Sequence, residues 1–191
     1  LMAHYIGNKI YWRRDNAFSK EFLQKVDEIA KQKKLVDLKI HGKEGMNTIR
    51  DSKGCFLNDK YLIDNITPAI NQANEECMWH FKLKKFEDFQ YTTYGVGHHY
   101  GWHQDTHTHA YRDQTVRKVS FTLCLNDEYT GGELEICEPH PDPKKTKFHK
   151  FDKITPGTII IFYSGLWHRV LPVKTGFRKS LVGWTLGTKF Q

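Results

Sequence analysis

From about residue 86 onward the hydrophobic pattern of this chain repeats every two residues, and that repeat restricts its possible folds more than any other feature. FQYTTY (89–94), KVSFTLCLN (118–126), GELEIC (132–137), GTIIIFY (157–163), HRVLPV (168–173) and RKSLVGWTL (178–186) read as strands, punctuated by Gly, Pro, Asn and Asp. Before residue 86 the period is helical. SKEFLQKVDEIAKQK (19–33) places Phe22, Leu23, Val26, Ile29 and Ala30 on one face, with Ser19 as N-cap. Residues 59–81 repeat the pattern with Tyr61, Leu62, Ile66, Ile70, Ala73, Cys77 and Phe81. Asn58 is placed to cap that stretch, and Pro68 is expected to divide it into a short helix and a longer one. No internal repeat or flexible linker appears. The chain is therefore expected to be one α+β domain over residues 1–191, with a helical front (1–85) and a β core (86–187). The helices should pack on one face of a mainly antiparallel β barrel or sandwich.

Composition supports a packed core: 12 Phe, 9 Tyr and 5 Trp in 191 residues. No apolar run is long enough to cross a bilayer, and the first residues carry no signal-peptide pattern, so no membrane partner is expected. Cys55, Cys77, Cys124 and Cys137 show no CxxC spacing. They read as free thiols of a reducing, cytoplasmic compartment. The net charge of +7 admits an acidic partner, nucleic acid included, but general solubility is the better account of it.

Chemistry concentrates in WHQDTHTHAY (102–111). His-x-Asp alone is a common spacing, and the chain has two: His103-Gln104-Asp105 and His140-Pro141-Asp142. The second lies in EPHPDP, whose prolines forbid regular strand pairing, and reads as a loop. The first follows YGVGHHYGW and fits a strand end, where residues two apart share a face. A third ligand is expected from His168, which follows the apolar strand Thr158 to Tyr163. Two histidines and a carboxylate on one face of an ion, with the other positions open, form the facial triad of non-heme Fe(II) oxygenases. Ten residues past His168 comes Arg178, after a turn expected at Lys174-Thr175-Gly176. Its planar fork suits a carboxylate, and Ser180, on the same face, can donate a second hydrogen bond.

Five segments, in order, resemble the 2-oxoglutarate- and Fe(II)-dependent dioxygenases, in particular the prolyl 4-hydroxylase-like branch that includes the bacterial PKHD-type hydroxylases. They are IRDSKGCFL (with Arg50-x-Ser52), YGVGHHYGWHQD, LCLNDEYTGGELEI, PGTIIIF and LWHRVLPVKTGFRKSLVGW, spread over residues 46–187. The resemblance implies a double-stranded β-helix, the distorted jelly-roll β barrel of that family, with the N-terminal helices packed on one sheet. It implies Fe(II) held by His103, Asp105 and His168, and 2-oxoglutarate with its distal carboxylate on Arg178. O2 is the oxidant and ascorbate a reductant. Tyr94 and Tyr100 match family tyrosines that line the cosubstrate pocket; a role as core aromatics fits them as well. Arg50 and Ser52 match an element at the barrel rim, and a purely structural role fits them equally.

The implied reaction is hydroxylation of a peptidyl side chain, proline first, with release of succinate and CO2. One departure bears on the substrate. Collagen-type and oxygen-sensing prolyl hydroxylases place a tyrosine where this chain has Cys124. The alternatives are oxidation of a nucleobase, or of a free amino acid or other small molecule. Nucleobase-demethylating relatives carry a second arginine six residues past the first, where this chain has Trp184. His98 and His99 are expected in a Gly-flanked turn. His107 and His109 are expected in a loop over the site (106–118), and PKKTKFHKFDK (143–153) as a basic hairpin loop. Loops 106–118 and 138–153 should frame the entrance.

Overall fold

The computed structural model describes residues 9–38, 40–41, 48–106, 110–152 and 154–189. In chain order the elements begin with β1 (Tyr11–Arg14), α1 (Lys20–Lys31), β2 (Val36–Asp37), β3 (Ile40–His41), β4 (Thr48–Asp51), β5 (Lys53–Leu57) and α2 (Lys60–Glu76). Then follow β6 (Leu83–Phe86), β7 (Phe89–Tyr94), β8 (His99–His103), β9 (Thr115–Cys124), β10 (Tyr129–Gly131), β11 (Leu134–Glu138) and β12 (Lys147–Phe151). The chain closes with β13 (Ile159–Tyr163), β14 (His168–Val170), β15 (Val173–Gly176) and β16 (Arg178–Thr188).

Strand pairing is antiparallel throughout. A large sheet runs β1-β13-β9-β16-β7-β5-β2, with β6 also paired to β16. A smaller sheet runs β12-β11-β14-β8-β4-β3, and β10 pairs β15. The two sheets face each other across an apolar core of Tyr94, Leu134, Ile136, Phe151, Ile160, Phe162, Val170 and Val173. This is the expected double-stranded β-helix. Both helices cover the outer face of the large sheet.

That layering explains the unbroken apolar run of β13. Ile159 and Ile161 point to the helices, while Ile160 and Phe162 point into the space between the sheets. A strand buried on both faces cannot show alternation. In β9 the two faces differ. Val119, Phe121 and Leu123 pack toward the helices, and Ser120, Thr122 and Cys124 turn inward. Phe121 meets Phe89 edge to face at 5.1 Å, directly over Gly183, where any Cβ would collide with both rings.

Helix α1 starts as expected: the Ser19 hydroxyl accepts the Phe22 N–H at 3.3 Å, and Phe22, Leu23, Val26 and Ala30 are buried. Helix α2 differs in two respects. Its cap is Asp59, whose carboxylate accepts the Leu62 N–H at 3.1 Å, while Asn58 bonds Asp88. Pro68 does not divide it. The proline forfeits one backbone bond, but Leu62, Ile66, Ile70 and Ala73 are all buried on one face and hold the helix in register past it.

The front of the chain also supplies strands. β1, β2 and β5 join the large sheet, and β3 and β4 join the small one. They are short and carry too few alternations for the pattern to register. Lys174–Gly176 is not a turn: it belongs to β15, which pairs with β10 and leads past Phe177 into β16, whose partner β9 precedes β10. Residues 143–153 are not all loop either. After a 3-10 turn at Pro143–Lys145, β12 pairs with the whole of β11. Its lysines mask the strand period in the sequence, and the buried Phe151 anchors it. All four cysteines are free. Among the described residues no helix is long and apolar enough to cross a membrane.

Candidate active site

The site begins with an irregularity in β8. His168 on β14 faces His103, and Val170 faces Tyr100, so three steps on β8 match two on β14. The extra residue is a β-bulge at Gly101-Trp102. Without it Tyr100 and His103 would point to opposite faces. With it both rings turn inward and stack at 3.5 Å and 10°, while Trp102 sits under the Arg169 guanidinium at 4.6 Å.

Asp105 does not lie on the strand with His103, as the spacing predicts; β8 ends at His103. The carboxylate returns to the same side through a turn in which the Asp105 and Thr106 N–H groups both donate to the Ser164 carbonyl, at 2.9 and 3.0 Å. The Ser120 hydroxyl then donates to Asp105 Oδ2 at 2.7 Å and lies 2.8 Å from the Ser164 hydroxyl. His168 opens β14 directly across from His103.

One ligand atom from each of His103, Asp105 and His168 falls within 4.8 Å of the other two. His103 Nε2 is 3.6 Å from Asp105 Oδ1, and His168 Nε2 is 3.4 Å from Oδ2. Each Nδ1 faces a backbone carbonyl: Gly101 O at 2.8 Å for His103 and Leu166 O at 2.9 Å for His168. A ring that donates from Nδ1 keeps its Nε2 lone pair, so both imidazoles present acceptors to the same point. Burial, and then the neighbouring His168, push His103 down to about 4, so it stays neutral. Burial alone would raise the Asp105 carboxyl, but His168, Ser120 and His103 together hold it well below the usual carboxylate range. Burial opposes protonation of His168, yet the adjacent Asp105 outweighs it and draws its pKa upward. Two imidazoles and a carboxylate with their ligand atoms facing one point suit a divalent cation. The donor set fits Fe(II).

A cavity of about 260 Å³ extends from these residues between the sheets. Arg178, the first residue of β16, lines it and is 5% exposed. Its Nη1 donates to the Ser180 hydroxyl at 3.1 Å, which leaves the Ser180 proton free to donate onward. Tyr94 pairs with Arg178 across the strands, its ring 5.4 Å from the guanidinium, and also lines the cavity. Tyr100 lines the opposite wall. His103, Asp105, His168, Arg178, Ser180, Tyr94 and Tyr100 thus border one cavity, as does Arg50 but not Ser52. Cys124, the departure noted above, is a buried thiol donating to the Asn126 carbonyl at 3.1 Å, its pKa raised by burial.

His140 is occupied locally, its Nδ1 accepting the Asp142 N–H at 2.9 Å. His98 lies in the expected turn, while His99 opens β8. His107 and His109 lie outside the described residues. The loop expected at 106–118 is shorter, because β9 begins at Thr115. Sequence reasoning missed Ser120 and Gln90. Both are buried polar residues on strands whose other face packs on the helices, and the polar, period-two face of those strands is the signal that could have found them.

Ser120 gives a direct prediction. Ser120→Ala leaves the three ligands in place but releases Asp105. Loss of an outer-shell partner costs roughly 10- to 100-fold in metal affinity, and a single hydroxyl donor belongs at the lower end. A Mn(II) titration should therefore show affinity down about tenfold with the fold intact.

Known proteins share these features. Residues 89–186, half of the chain, match the 2OG-Fe(II) oxygenase superfamily. A PKHD-type hydroxylase of Crocosphaera subtropica is 36% identical over 120 residues, covering 61% of this chain and 51% of that protein. Another, from Rippkaea orientalis, is 33% identical over 146 residues, covering 75% and 62%. The chain thus spans between half and two thirds of these relatives' length. Among solved structures, the viral collagen prolyl hydroxylase of Paramecium Bursaria Chlorella virus-1 superposes with a TM-score of 0.68 at 21% identity, covering 94% of this chain and 97% of that one. A prolyl hydroxylase of Trichoplax adhaerens, in complex with a hypoxia inducible factor peptide fragment, gives 0.68 at 18% identity, covering 93% and 84%. These structures speak for the fold. The sequence match, running through β7 to β16 and the cavity they enclose, shows that the chain belongs to the 2OG-Fe(II) oxygenase superfamily.

Proposed function

We propose that the chain is a 2-oxoglutarate- and Fe(II)-dependent hydroxylase of a peptidyl side chain, proline first, releasing succinate and CO2. The observation that carries this is the convergence of His103, Asp105 and His168 on one point, with buried Arg178 on the same cavity. Membership of the superfamily brings Fe(II), 2-oxoglutarate and O2 as the reacting partners. When bound, the iron supplies oxidative decarboxylation of 2-oxoglutarate and insertion of one oxygen into a C–H bond.

The chain's own residues position and shield that chemistry. His103, Asp105 and His168 take one face of the ion and leave the rest open. Arg178 pairs with the distal carboxylate of 2-oxoglutarate, which cannot be buried uncompensated, and Ser180 donates alongside. Tyr94 and Tyr100 border the cosubstrate. Phe162, Leu134 and Val170 keep that end dry.

A peptide fits the approach to the site. Phe56 borders both the cavity and an open surface groove with Tyr111, Arg112 and Phe86, room for a chain running past the reacting residue. One structural neighbour is a prolyl hydroxylase in complex with a peptide fragment. Trp184, at the position of the second arginine of nucleobase-demethylating relatives, weighs against a nucleobase. We take residues 1–191 as a single domain, and the four free thiols favour a reducing, cytoplasmic compartment.

The test is mass spectrometry of peptide pools incubated with enzyme, Fe(II), 2-oxoglutarate and O2. A proline-containing peptide should gain one oxygen, about 16 Da, as the insertion chemistry requires. Oxygen gained only by free amino acids or by oligonucleotides rejects the peptide reading.

A further inference from the structure

At the end of the cavity away from Arg178 is a second buried cation with no anion beside it among the described residues. Arg50, on β4, is 8% exposed. Its Nε donates to the Ser52 hydroxyl at 2.9 Å and its Nη2 to the Gln90 side-chain oxygen at 2.7 Å, and its guanidinium lies 4.7 Å from the Tyr100 ring. All three partners are neutral. A guanidinium has no acceptor, so the Gln90 oxygen must face Arg50 and its NH2 must point away. Arg50 and Gln90 both line the cavity, and no partner for Arg50 Nη1 or Gln90 Nε2 is found among the described residues. This wall therefore offers donors and no acceptor.

Charge balance isolates Arg50 further. Arg117, the third arginine on the cavity, is neutralised by Glu87 through two bonds at 2.7 and 2.5 Å. At the reacting end, the charges of divalent iron, Asp105, the 2-oxoglutarate dianion and Arg178 cancel. Arg50 is left over. Arg50 and Arg178 meet β7 at different places. Gln90 faces Val182 on β16 while Tyr94 faces Arg178, four residues along the strand. At about 3.3 Å per residue the two backbone positions are roughly 13 Å apart.

We infer that Arg50 and Gln90 form a subsite for a carboxylate of the substrate, held close to the carbon that is oxidised. Buried charge is ordinarily paired, and a fork of donors with an amide beside it matches a carboxylate. The carboxylate can come from an acidic side chain flanking the target residue of a peptide, or from the α-carboxylate of a free amino acid. The inference rests on the proposed oxygenase site and specifies what that site selects.

Ligand-observed NMR on enzyme loaded with Zn(II) and 2-oxoglutarate tests it. One pair of probes is capped proline peptides flanked by Asp or Glu against the same peptides flanked by Asn or Gln. The second pair is free amino acids against their amides. In at least one pair the carboxylate form should bind about tenfold or more tightly, the scale of a charge-assisted bond. Gln90→Glu, which keeps the shape and gives Arg50 an internal anion, should bring that ratio close to one; Arg50→Gln should do the same. No carboxylate preference in either pair overturns the inference. So does a preference that survives in both variants, or a loss of 2-oxoglutarate affinity in Arg50→Gln, which would give the arginine to the cosubstrate. Hydroxylation of neutral peptides as readily as acidic ones sinks the inference and leaves the peptide reading intact. Preference confined to free amino acids does the reverse.

Discussion

Replacing His168 with alanine is expected to abolish tight binding of Fe(II), and of the inert surrogate Mn(II), with the fold retained. His168 is 5% exposed and its Nε2 faces Asp105 at 3.4 Å. Losing it removes one of three ligands and leaves a buried carboxylate that no longer shares its partner. Loss of an outer-shell contact alone costs roughly 10- to 100-fold, so loss of a ligand should exceed about 100-fold in metal affinity. Turnover should vanish with it. Mn(II) titration followed by electron paramagnetic resonance reads the affinity directly. Alanine at His140, whose ring is held by Asp142, should leave binding unchanged. Loss in His140→Ala with retention in His168→Ala would reassign the site.

Arg178→Ala separates cosubstrate from metal. The guanidinium is 5% exposed, donates to the neutral Ser180 hydroxyl, and faces the aromatic ring of Tyr94. A charge-assisted hydrogen bond to a buried carboxylate contributes about 1.5–3 kcal/mol, so 2-oxoglutarate affinity should fall by up to about 100-fold. Metal affinity should stay as in the parent, because Arg178 touches none of the three ligands. Anaerobic calorimetry with Mn(II) bound measures both. An unchanged 2-oxoglutarate affinity would place the carboxylate clamp at another residue.

Much of the architecture was legible in the sequence because burial imposes pattern. β7, β9 and β16 are central strands whose buried positions follow the sheet period, and the unbroken apolar run of β13 marks a strand buried on both faces. Ser19 was legible because a cap has local chemistry. The edges were not. β1 to β5 are short, β12 carries its charge on the outward face, and Lys174–Gly176 reads as a turn although β10 captures it as a strand. Pro68 was overruled by a buried helix face that no local rule weighs. At the site, residue types and spacing led to His103, Asp105, His168 and Arg178. The means of their convergence stayed hidden. A bulge at Gly101 aligns Tyr100 with His103, and Ser164 and Ser120 carry Asp105 back across the strand end. These are contacts between residues far apart in the chain, and a sequence scanned locally gives no sign of them. The neutral surroundings of Arg50 are of the same kind, since Gln90 reaches it from forty residues away.

The central claim is that one cavity holds the ion at one point and the cosubstrate's distal carboxylate at Arg178. A crystal of the protein grown anaerobically with Mn(II) and 2-oxoglutarate, measured for anomalous scattering from the metal, tests it most directly. The account predicts one strong anomalous peak bonded to His103 Nε2, His168 Nε2 and an Asp105 oxygen, with 2-oxoglutarate running from it to Arg178. A peak elsewhere, or 2-oxoglutarate with its distal carboxylate on Arg50, would contradict it.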